Sequence, residues 1–267
     1  MQIIHMQKLI TRGYAPVNGL NMYYEIHGTG KLPLVLIHGG GSTIETTFGV
    51  LLPLLSGYGK IIAVELQAHG RTNDRDAPES FEQDADDVAA LLKYLETDKA
   101  NFLGFSNGAT TTLQIAIRHP NLVNKIVAIA GAYKRDGFVP GFFEGLENMT
   151  LAKLPEPLTA AYLKVTPDKN RLQVMFDKDL ERIKTFKDYS DEDLKSIKAP
   201  ALFIISDHDV ITVEHTAKMS RLVQGAELVV LPGTHGSCIG TVEAPIAKKW
   251  SKLPQITASL VEAFLSE

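Results

Sequence analysis

Three segments of the 267-residue chain carry side chains that could together activate a hydroxyl group, and a fourth could hold the charge that results. Gly104-Phe105-Ser106-Asn107-Gly108 has the form G-x-S-x-G. A serine on a tight strand-to-helix turn takes a strained backbone, and glycines such as Gly104 and Gly108 leave neighbouring chains room to approach it. Its hydroxyl attacks at neutral pH only if a base removes the proton. Gly233-Thr234-His235-Gly236 offers His235 as that base, and Ser206-Asp207-His208-Asp209 offers Asp209 to fix the imidazole tautomer. Asp207, two residues earlier, could point the same way from an extended segment; holding the turn through side-chain-to-backbone bonds also suits it.

An oxyanion formed beside Ser106 would need donors. A helix starting near Asn107 presents its free N–H groups and the positive end of its dipole there. His38-Gly39-Gly40-Gly41 follows an aliphatic run and could bring in a second backbone N–H, with Gly40 the first choice and Gly41 the next. The same loop lacks the G-x-G-x-x-G spacing, or the lysine and Ser/Thr, of a phosphate cradle. No H-E-x-x-H and no Cys/His cluster suggests a metal, so the expected chemistry uses neither cofactor nor metal. His38 reads as a brace for the glycine loop and His69 as packing beneath it; His27, His119, His208 and His215 read as polar or satisfied positions. Cys238, three residues after His235, is too close in sequence to act as a nucleophile with it, and reads as a small buried residue.

These segments need a scaffold that brings them to one edge. Tyr14 to Val17 and Leu20 to Ile26 flank Asn18-Gly19, a hairpin signal. Short aliphatic runs follow at Leu34 to Ile37, Ile61 to Val64, Phe102-Leu103, Ile126 to Ala130, Leu202 to Ile205 and Leu228 to Leu231, as expected of parallel strands covered on both faces. Between them, Asp84 to Leu95 has one apolar face and is preceded by Ser80-Phe81-Glu82-Gln83, which reads as a capping box; Asn107 to Arg118 repeats the pattern and His119-Pro120 closes it. This β-α alternation predicts an open α/β sheet with right-handed crossovers. Its strands' carboxyl ends, where ligands bind in such sheets, receive serine, acid and histidine in that order. The alternation stops over residues 134–198, which read as an inserted helical lobe broken at Pro155, Pro157 and Pro167. The domain expectation is therefore a core of 1–133 and 199–267 with a lobe of 134–198. Phe138, Phe142, Phe143, Met149, Tyr162, Met175, Phe176 and Phe186 would mostly form that lobe's core, with two or three meeting a ligand.

Composition narrows the partners. The chain is 45% apolar and carries a net charge of −4 without runs of like charge, which argues against nucleic acid or an anionic membrane as partner; its one cysteine excludes an internal disulfide. Its longest apolar run, Ile126 to Ala132, is far below the ~18 residues a membrane span requires. Met1 to Thr11 holds His5, two glutamines and Lys8, unlike a signal peptide, so the expected location is cytoplasmic, or secreted or periplasmic if a leader has been removed.

The HGGG after Leu34 to Ile37, the GFSNG turn, the strand ending in SDHD and LPGTHG together resemble the α/β-hydrolase superfamily, from Tyr14 onward and least in the lobe. The resemblance implies a mostly parallel eight-stranded sheet flanked by helices, a helical cap over residues 134–198, Ser106 as nucleophile, His235 as base and an acid after the preceding strand, usually the later aspartate, Asp209. It implies a cofactor-free serine esterase acting on a small-molecule ester or lactone through an acyl-enzyme, and a homodimer is compatible with it. Serine at this turn, where related dehalogenases and epoxide hydrolases carry aspartate, sets those activities aside. C–C bond hydrolysis of meta-cleavage products, proline release, acyl transfer, haloperoxidase-like perhydrolysis and a hydrolase-fold receptor all use the same scaffold.

Overall fold

A computed structural model describes residues 9–55 and 57–266; Met1 to Lys8, on which most of the leader reading rests, fall outside them. Eight strands, β1 (Leu9–Val17), β2 (Leu20–His27), β3 (Leu34–Ile37), β4 (Ile61–Val64), β5 (Ala100–Phe105), β6 (Val123–Ile129), β7 (Ala201–His208) and β8 (Glu227–Thr234), form one sheet in the order β1-β2-β4-β3-β5-β6-β7-β8. β2 pairs antiparallel with both of its neighbours, and all pairings from β4 to β8 are parallel. The β1-β2 turn forms at Asn18 and Gly19, both with positive φ, as a two-residue primed hairpin demands.

Ten helices flank this sheet among the described residues: α1 (Ile44–Phe48), α2 (Leu51–Leu54), α3 (Phe81–Tyr94), α4 (Asn107–Arg118), α5 (Phe142–Glu147), α6 (Glu156–Val165), α7 (Lys169–Lys184), α8 (Asp191–Ser196), α9 (Val213–Leu222) and α10 (Leu253–Ser266). Alternation along the strands divides the core in two. Val35 and Ile37 of β3 join a cluster with Val88 of α3, Leu113 of α4 and Met219 of α9, whereas Leu34 and Leu36 join Phe48 of α1, Leu51 of α2 and Val261 of α10. Both faces are dry, which is why the central strands read as unbroken apolar runs.

Sequence and structure part in three places. β8 is not covered on both faces: it is the sheet's edge, and Leu228 and Val230 are exposed. Strands outrun their apolar cores, β7 to His208 and β8 to Thr234, because backbone pairing continues into polar residues. At α3 half of the capping box forms: Ser80 accepts from the Gln83 N–H, but the Gln83 side chain donates to Asp87 instead of returning to the cap.

Between β6 and β7 lie α5 to α8. Pro155 and Pro157 open α6, and α7 ends its own orphan N–H groups on the Asp168 side chain. α6 is tied to the loop after β4: Tyr162 Oη donates to the Ala68 carbonyl (3.1 Å) and Thr166 Oγ1 to that of Gly70 (2.6 Å). α8 instead belongs with the sheet, Leu194 packing in the α3-α4 cluster.

Candidate active site

The register sets the carboxyl ends of β3 and β5 level, pairing Ile37 with Gly104, so the glycine loop and the turn after β5 emerge together. At that turn Ser106 has φ 54° and ψ −119° while serving as the N-cap of α4. A non-glycine residue there stores strain, which the turn's own packing imposes. A methyl on Gly104 would run into the Gly108 carbonyl and lie 2.5 Å from Thr112 Oγ1; one on Gly108 would strike the Ile37 carbonyl and lie 2.5 Å from that of His38. Gly104→Ala is therefore expected to lower stability by about 3 kcal/mol. Chemical denaturation would check it, and a loss below about 1 kcal/mol would contradict the crowding argument.

β7 and β8 deliver the other two groups. His235 Nδ1–H donates to Asp209 Oδ1 (2.7 Å), and the Ser106 hydroxyl donates to His235 Nε2 (3.0 Å). Asp209 is buried and also accepts from the Ile211 N–H. Asp207 is on another errand: its Oδ1 accepts from the Gly233 N–H (2.8 Å), tying the end of β7 to the end of β8, just before His235. Burial disfavours a charged His235, but the Asp209 carboxylate outweighs it and holds the imidazole pKa above its ordinary value.

The glycine loop is positioned by two buried histidines. His38 Nε2 accepts from the Leu66 N–H while Nδ1–H donates to the Gly39 carbonyl; burial keeps this ring neutral, its pKa pushed down to about 3. His69 Nδ1–H donates to the Gln67 carbonyl and Nε2 accepts from the Gly41 N–H (3.2 Å). Gly41 is thereby committed. The Gly40 N–H has no acceptor among the described residues, and the Asn107 N–H, first in α4, has no acceptor within the helix. Both residues border the same cavity as Ser106 and His235.

That cavity holds about 450 Å3. Of the eight large apolar residues singled out in the lobe, six line it (Phe138, Phe142, Met149, Met175, Phe176 and Phe186), where two or three were expected; Tyr162 packs instead against Ala68. Cys238 is buried, and burial raises its thiol pKa to about 12. Sequence reasoning missed Asp179 of α7, which borders the cavity and accepts from Asn107 Nδ2 (2.9 Å). Its signal was available: Leu172, Met175, Phe176, Asp179 and Ile183 fall on one helical stripe, so an acid stands where the pattern calls for an apolar residue.

A sequence model of the alpha/beta hydrolase fold family matches residues 33–164. Serine hydrolase BPHL of Homo sapiens is 28% identical over 243 residues, covering 85% of this chain and 80% of that one. Among solved structures, the enol-lactonase from Burkholderia xenovorans LB400 superposes with a TM-score of 0.72 at 23% identity, over 95% of this chain and 100% of its own. The 2-hydroxy-6-oxo-6-phenylhexa-2,4-dienoate hydrolase from Rhodococcus sp. strain RHA1 gives 0.77 at 15% identity, over 98% and 100%.

Proposed function

The chain belongs to the α/β-hydrolase fold superfamily, and from that premise we propose that it is a serine hydrolase cleaving small or medium carboxylic esters or lactones through an acyl-enzyme. The observation that carries the reading is the hydrogen-bonded series Asp209, His235, Ser106, opening onto an apolar cavity at the sheet's carboxyl edge. In this reading Ser106 Oγ attacks the carbonyl carbon as His235 Nε2 takes its proton. The N–H groups of Gly40 and Asn107 hold the tetrahedral oxyanion, each such donor contributing about 3 kcal/mol to the transition state. His235 then protonates the leaving oxygen, and a water deprotonated by the same nitrogen releases the acid and restores Ser106.

We assign α5 to α7, and not α8, the part of a lid within residues 134–198, roofing the cavity and giving the acyl chain an apolar lining. A cavity of about 450 Å3 suits a small molecule. Among the described residues no helix is long and apolar enough to cross a membrane. Assignment of the chemistry needs no knowledge of the natural substrate. A fluorophosphonate probe followed by peptide mapping is expected to modify Ser106 stoichiometrically, and a chain-length series of p-nitrophenyl esters to size the acyl pocket. Folded protein that takes up no probe would overturn the proposal.

A further inference from the structure

Asp179 has no part in the acyl-transfer steps, yet it borders the reacting groups. Its Oδ1 is occupied by Asn107 Nδ2 and by the Arg182 guanidinium. Oδ2 lies where a side chain on Gly40 would fall, and His69 Nε2, which accepts from the Gly41 N–H, stands 3.7 Å from it. Burial opposes ionisation of Asp179, but Arg182 overcomes it and holds the pKa well below the carboxylate range. Arg182 cannot cancel this charge in full, since it also faces Asp84 (2.5 Å) and Glu79 (3.5 Å). The neighbouring Lys178 is spent on Asp74 and two backbone carbonyls.

The remaining lining is apolar or uncharged apart from His235, and among the described residues no lysine or arginine borders the cavity. A carboxylate entering it would therefore meet a like charge on the cavity wall and no lysine or arginine there to pair with. We infer that Asp179 is a specificity-determining residue, a fixed negative charge beside Gly40 that turns away substrates carrying a carboxylate near the scissile carbonyl and admits uncharged ones. This rests on the serine-hydrolase reading above, and it separates the chain from hydrolases of dienoates, whose substrates are carboxylates. The selectivity arises from a repulsive element and not from an added contact.

Three p-nitrophenyl esters of equal acyl length, ending in a carboxylate, a methyl ketone and an ammonium group, make the test, with kcat/KM corrected for spontaneous hydrolysis. An apolar pocket alone penalises both charged ends alike; a fixed carboxylate separates them. The wild-type protein is expected to favour the ammonium ester over the carboxylate ester by at least about tenfold. Asp179→Asn, and Asp179→Ser as a second variant, are expected to shrink that ratio at least fivefold, whereas loss of a merely structural contact would scale all three esters together. A wild-type ratio near one, with the ketone ester hydrolysed and Ser106 labelled by fluorophosphonate, would overturn the inference and leave the hydrolase reading standing. Failure on every ester together with absence of labelling would bring down both.

Discussion

Ser106→Ala is expected to lower kcat/KM on any ester the wild-type protein accepts by roughly 10^4- to 10^6-fold, with the fold intact. The side chain that disappears is one hydroxyl on a turn whose geometry is set by Gly104, Gly108 and the Ile129 carbonyl, to which the Ser106 N–H donates. None of those contacts uses Oγ, so the melting temperature should move by no more than a few degrees. What remains is the proposed oxyanion pair of Gly40 and Asn107 and the cavity, which would account for the residual rate. Retention of more than about one per cent of wild-type activity in a preparation free of wild-type protein would show that the hydroxyl is not the nucleophile.

The second large effect concerns Asp209. Asparagine is nearly the same size, but its amide can donate to His235 Nδ1 and so favour the tautomer with the proton on Nε2, which cannot accept from Ser106. A loss of about 10^4-fold in kcat is expected. The pH profile carries an independent reading of the same contact. As the proposed base His235 would work only when neutral, so activity is expected to be lost as pH falls through its pKa, which Asp209 holds above the ordinary imidazole value of about 6.5. The acid limb of wild-type kcat/KM should therefore lie above pH 6.5, and the residual activity of Asp209→Asn should show that limb at lower pH. An unmoved limb would detach Asp209 from the titrating group. Asp207→Asn removes the carboxylate that accepts from the Gly233 N–H, not one that touches the imidazole, and serves as the comparison.

Most of this scaffold is legible in the chain because the physics acting on it is local. β3 to β7 announce themselves as apolar runs since each is sealed on two sides, and the turn at Ser106 announces itself because only glycine fits at Gly104 and Gly108. Edge status is different: Leu228 and Val230 look like covered residues, and only the order of strands reveals that nothing lies beyond them. The lobe resists reading for a further reason. Its aromatic residues are apolar whether they pack against one another or border a cavity, so composition cannot divide the two, and more of them face the cavity than a lobe with a core of its own would release. Asp179 is legible in principle, as an acid on an apolar stripe, but Asn107 is brought to it from α4, and its partner Arg182, one turn on in α7, is in turn held by Asp84 of α3.

The roofing helices are also unequally fastened. α7 is moored through the buried Arg182 to Asp84 of α3, and α6 through Tyr162 and Thr166 to the loop after β4, whereas α5 has no buried residue although Phe142 and Leu146 border the cavity. Stability and pocket shape are thus carried by separate pieces of chain. Selection for a new substrate could recut the roof at α5 by single substitutions, trimming or enlarging the space above Ser106 while the ionic mooring and the sheet beneath stay unaltered. Phe142→Ala is where such drift would begin: longer acyl chains gain relative to short ones, and a fall in melting temperature of more than about 5 °C would show that the roof and the foundation are one unit after all.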